Sequence, residues 1–86
     1  MVGRAAPGQG TMALSHLREG ESGVLVSLEV PEDVGVRLME MGFLPGCRVT
    51  AIHPAPGGDP LVFRLDGIEI ALRRETARRI TVEPAA

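Results

Sequence analysis

The sequence predicts a small, mainly β domain, a barrel of five short strands with one short α-helix after the first strand. Three observations lead there. Two alternating runs flank Asp66-Gly67, which is the strongest short-range signal of a β-hairpin. Further short runs of Val, Ile and Leu lie between Gly- and Pro-rich breaks, the spacing of strands and turns. Only one stretch, from Pro31 to Gly42, carries the start and stop signals of a helix.

The first eleven residues, MVGRAAPGQGT, have neither helical nor strand periodicity. Residues 1–12 are expected to be a disordered tail or cloning remnant, with Met12 as a candidate start and a barrel domain over residues 13–84. Over residues 23–29, Val24, Val26 and Leu28 alternate with Ser27 and Glu29, which predicts a half-buried strand with the valines inward. Leu25 breaks that pattern by falling on the polar side. Pro31-Glu32-Asp33 suits a helix start, because proline fits the first turn and acids favour the positive end of the helix dipole. Gly42 suits the stop, and Pro45-Gly46 a turn beyond it. At roughly 100° per residue, Val34, Leu38, Met39 and Met41 share one arc with Gly35 and Gly42, predicting an apolar face that plugs one opening of the barrel. Val36 falls among Glu32, Asp33, Arg37 and Glu40 on the opposite side.

Residues 47–53, CRVTAIH, predict the second strand, and the Pro- and Gly-rich stretch 54–60 a loop. Leu61, Phe63 and Leu65 then alternate with Val62 and Arg64, and Ile68, Ile70 and Leu72 with Glu69, Ala71 and Arg73. Residues 74–79 suit one helical turn, and Ile80 and Val82 a last strand. Five strands this short have one face to bury, and curling around it gives a bent barrel of the SH3-like kind.

With 86 residues and two aromatics, both phenylalanine, the core must come from aliphatic side chains. The net charge of −2 gives no general attraction to nucleic acid or anionic lipid. The nine basic residues are all arginine, and Arg73, Arg74, Arg78 and Arg79 crowd together. One cysteine, Cys47, rules out an internal disulfide and fits a reducing cytoplasm. No apolar run nears the ~20 residues of a membrane helix. A cytoplasmic protein is expected, associated with a membrane only through a partner.

Catalysis needs a nucleophile with a base, a paired acid and base, or an open metal site. Adjacent Ser15 and His16 would point to opposite faces of an extended strand, and no Walker-type loop occurs; the expectation is no enzyme. Metal is equally poorly served. Cys47 and His53 share a strand face, but six residues at ~3.3 Å each put them ~20 Å apart. Cys47 is expected to pack as a small apolar residue, Met39 and Met41 as core filler, and His16 or His53 to offer no more than an adventitious surface site. No cofactor is expected.

Three stretches, in order, carry a family resemblance: Arg37-Leu38-Met39-Glu40-Met41-Gly42-Phe43-Leu44-Pro45-Gly46, then Gly58-Asp59-Pro60, then Ile70-Ala71-Leu72-Arg73 followed by Ala77 and Ile80-Thr81-Val82. Together they resemble the FeoA family from about Leu14 to Val82. That resemblance implies an SH3-like barrel that assists ferrous iron uptake, with a link to transition metal ions. It implies contact with the cytoplasmic GTP-binding part of the membrane transporter FeoB, and leaves self-association through exposed strand edges open.

The residues proposed for that contact are the two that break their own patterns, Leu25 and Val36, with Arg37 and Glu40 as a polar rim. The competing reading covers Leu25 with the segment around Leu14 and Leu17. The second choice is the basic edge at Arg73 and Arg74, which is otherwise a solvated surface balanced by Glu69 and Glu75. A different class of function, a small nucleic-acid-binding barrel using the arginine cluster, lacks the exposed aromatics that stack on bases.

Overall fold

The computed structural model describes residues 10–85; most of the expected tail, residues 1–9, lies outside them. Ten short elements follow one another. Strand β1 is Met12–Ala13, followed by a 3-10 turn at Leu14–His16. Strand β2 is Ser22–Leu28, helix α1 Glu32–Glu40 and strand β3 Arg48–Ile52. A second 3-10 turn at Pro56–Gly58 leads to β4, Leu61–Leu65, and β5, Ile68–Leu72. Helix α2, Arg74–Ala77, precedes β6, Ile80–Ala85. The strands form one antiparallel sheet in the order β1-β6-β2-β3-β4-β5.

Among the described residues, six strands replace the expected five. The extra one, β1, is a two-residue pairing of Met12 with Val82 and Ala13 with Thr81, too short to leave an alternation in the sequence. The β4–β5 hairpin is as expected. Leu65 pairs with Ile68 across the Asp66-Gly67 turn, whose φ angles of 52° and 84° are those of a type I′ turn. Phe63, Leu65, Ile70 and Leu72 point into the core, which also collects Leu14, Leu17, Phe43, Val49, Ala51, Ile80 and Val82.

Strand β2 corrects the sequence reading. Its core face is Gly23 and Leu25, while Val26 is exposed. Two features hid this. Position 23 faces the core as a glycine, which carries no hydrophobic mark. A Cβ there would sit 2.9 Å from a methyl of Val82 and 3.2 Å from the carbonyl oxygen of Glu83, so the close β2–β6 approach excludes a side chain. The register with β6 then slips by one residue between Leu25 and Ser27. Val26 is the extra residue of that bulge, and beyond it the even-numbered Leu28 turns toward the core. Leu25, at 2% exposure, is therefore a core residue and not part of a partner-binding surface. Leu14 and Leu17 belong to the same core.

Helix α1 is also buried more narrowly than its apolar arc. Gly35 and Leu38 are buried and Val34 is half-buried, but Met39 and Met41 are exposed. The covered strip spans roughly 100°, and the two methionines lie at its margins, outside the core that they were expected to fill. Val36 is exposed, as expected, and Cys47 packs half-buried against the core.

Candidate functional site

The helix-and-turn stretch is built by successive backbone devices. Helix α1 ends in a Schellman motif. The N–H of Phe43 donates to the carbonyl of Leu38, and that of Gly42 to Met39, each at 3.0 Å, while Gly42 takes the left-handed φ of 107° that the motif requires. Phe43 and Leu38, brought together by the motif, both enter the core. Leu44-Pro45-Gly46-Cys47 then forms a turn closed by the Cys47 N–H on the Leu44 carbonyl at 3.0 Å. Proline at its second position and Gly46 with φ 96° at its third make it type II. This turn is strapped to β2. Gly46 donates to the carbonyl of Leu25, and the N–H of Leu25 donates to Cys47, both at 2.8 Å. Leu25 thus serves the site through its backbone, behind the surface.

What these devices hold outward is apolar. Leu44 is 49% exposed at the corner of the turn, and Ile68 is 58% exposed at the hairpin tip. With Met41 and Cys47 they line a groove of about 640 Å³ between the end of α1 and the β4–β5 hairpin, with Arg48 and Arg64 among its polar walls. A second groove of about 480 Å³ shares Met41 and Ile68 and continues along β5 past Glu40, Glu69 and Ala71. A contiguous apolar surface with a charged rim suits a protein contact.

The sequence reading missed Met41, Leu44 and Ile68. Alternation placed Ile68 inward, but it directly follows the turn and lies at the hairpin tip. Of the residues named for partner contact, Val36, Arg37 and Glu40 are exposed on α1 and Arg73 is exposed beyond β5. Arg74 is exposed too, yet its Nη2 donates to the carbonyl of Gly58 at 2.8 Å. Its backbone N–H donates to Asp59 Oδ1 at 3.0 Å, so a carboxylate from the 54–60 loop caps a four-residue helix that has no cap of its own. That accounts for Gly58-Asp59-Pro60 as a structural motif. Asp59→Ala is expected to cost about 0.5–2 kcal/mol in urea unfolding, the range for losing a helix cap. Glu69 does not balance the arginine cluster; it pairs with Arg64 across the hairpin at 3.0 Å.

Among the described residues, no three of His, Cys, Asp and Glu stand close enough to hold a metal ion, and no helix is long and apolar enough to cross a membrane. Both phenylalanines are fully buried, which leaves no Phe, Tyr or Trp ring on the surface.

The FeoA domain model matches residues 12–84. The chain is 39% identical over 72 residues to the Fe(2+) transport protein A/Fe(2+) transporter FeoB fusion protein of Porphyromonas gingivalis, a match that covers 84% of this chain and 8% of the fusion protein. Among solved structures, the FeoA protein of Chlorobium tepidum superposes with a TM-score of 0.84 at 33% identity, covering 87% of this chain and 71% of that one. FeoA of Stenotrophomonas maltophilia, described as a prokaryotic SH3 domain protein and solved with zinc, superposes with a TM-score of 0.74 at 33% identity, covering 84% and 89% of the two chains. The motifs explained above lie within the matched residues, and the chain belongs to the FeoA domain family.

Proposed function

We propose that this chain is a non-enzymatic accessory module of ferrous iron transport that docks on the cytoplasmic GTP-binding part of a FeoB-type transporter. The observation that carries this reading is the Porphyromonas gingivalis relative, in which a similar domain and the transporter are one polypeptide. Fusion keeps two partners at high effective concentration without any new contact, which is useful when the contact itself is small. The groove lined by Met41, Leu44 and Ile68 offers an apolar surface for that contact, with Val36, Arg37 and Glu40 on the outer side of α1 as its continuation. The nucleic-acid reading is weakened by two features: Arg74 is engaged with Gly58, and no Phe, Tyr or Trp ring is left for stacking.

Calorimetric titration of the purified chain with the isolated GTP-binding part of its cognate transporter tests this. Saturable binding is expected, weakened at least about tenfold by Leu44→Glu, the effect of truncating a contact of central weight. The variant's circular dichroism should be unchanged, because the Leu44 side chain is half-exposed and outside the buried core. Absence of binding by the unaltered chain would sink the proposal; full binding by a folded Leu44→Glu variant would move the contact off this groove.

A further inference from the structure

The sheet has two edges, and they are finished differently. One edge is β1, only two residues long, a length that blunts strand addition. The other is β5, five residues long, which pairs only with β4 among the described residues. The turn bond between Leu65 and Ile68 makes that pair a hydrogen-bonded one. In an antiparallel ladder, Phe63–Ile70 and Leu61–Leu72 are then hydrogen-bonded as well. The N–H and C=O groups of Glu69 and Ala71 consequently point away from β4. Among the described residues, no backbone hydrogen bond from another element reaches them. Nor does β5 carry the usual protection of an edge. It holds no proline, lysine or bulge, and its single charge, Glu69, is offset by Arg64 on the neighbouring strand.

The charges along this edge are self-complementary. Glu69, Ala71 and Arg73 lie on one face at two-residue steps, with the small Ala71 midway between an acid and a base. Arg73 is extended, with φ −62° and ψ 144°, so it continues the line of the strand. Its carbonyl accepts from Thr76 and Ala77 in α2, its N–H donates to no other element among the described residues, and no ion pair to Arg73 is present among them.

We infer that β5 pairs with β5 of a second copy of this chain, antiparallel about a two-fold axis at Ala71. In that register each Ala71 exchanges both backbone hydrogen bonds with its mate. Each Arg73 N–H donates to the Glu69 carbonyl opposite, and each Glu69 carboxylate faces an Arg73 guanidinium. Ile70 stands opposite Leu72, extending the apolar face across the joint. A two-fold axis on Glu69 would instead set like charges opposite each other, which is unfavourable.

Sedimentation equilibrium should show a monomer–dimer equilibrium between about 10 μM and about 1 mM, where a small transient interface becomes populated. Ala71→Pro removes the central outward-facing donor and should leave a folded monomer, since an edge tolerates proline where its N–H is not used within the sheet. Arg73→Glu and Glu69→Arg should each be monomeric alone, whereas an equimolar mixture should recover a heterodimer, because both charge pairs are then restored. A monomer throughout that range for the unaltered chain, an undiminished dimer in folded Ala71→Pro, or a mixture that stays monomeric would each overturn the inference.

Discussion

Phe43→Ala is expected to remove a large share of the domain's stability at 25 °C while leaving a measurable unfolding transition. Phe43 is fully buried and joins two parts of the molecule, as the residue just past the end of α1 and as one of the two aromatic rings of the core. Truncating a buried phenylalanine costs about 3–5 kcal/mol. A domain of this size has a total stability of only about 4–11 kcal/mol at the usual share per residue. The loss should appear in urea as a large fall in the unfolding midpoint. It should also remove the apolar partner of Leu38 in the Schellman motif, so the last turn of α1 should fray before the sheet melts. A midpoint within measurement error of the unaltered chain would mean that Phe43 is not in the core.

Leu38→Ala should cost about 2–5 kcal/mol, and Met39→Ala less than about 0.5 kcal/mol. The pair is more informative than either alone. Leu38 and Met39 are neighbours in an apolar arc that hydropathy treats as one face, but Leu38 is 3% exposed and Met39 lies on the surface. Thermal unfolding of the two variants therefore measures the position of the buried strip. Equal losses would show that α1 is rotated so that Met39 is buried as deeply as Leu38.

The contrast between those two residues shows what the sequence carries and what it does not. The β4–β5 hairpin was legible because two independent signals agreed, period-two alternation and an Asp-Gly pair suited to positive φ. The end of α1 was legible because Gly42 and Pro45-Gly46 are punctuation with one common use. Strand β2 was not legible. Its first core position is a glycine made necessary by Val82, a residue far away in sequence, and its alternation is broken by a bulge whose cause is the register with β6. Alternation read without that register put Leu25 outside and Val26 inside, the reverse of the structure.

The candidate site was legible only in its frame. The helix-and-turn motif that positions the groove could be read, yet the groove's own Met41, Leu44 and Ile68 could not, because an apolar side chain carries no mark saying whether a neighbour covers it. Leu44 is outward because Pro45 and Gly46 form a turn strapped to the backbone of Leu25, a long-range contact. Arg74 shows the converse case. It read as a free surface cation, but the structure has it tying the 54–60 loop to α2.

The proposed contact with the transporter lies in the groove between the α1 turn and the hairpin tip. Its most direct test is to titrate isotope-labelled chain with the unlabelled GTP-binding part of a FeoB-type transporter and follow each backbone amide by NMR. The largest shifts are expected at Met41 to Arg48, Pro45 excepted for want of an N–H, and at Asp66 to Glu69, with the far side around Asp59 and Arg74 unmoved. Shifts concentrated at Arg73 to Arg79 with the α1 turn silent, or no shifts at a saturating concentration of partner, would contradict it.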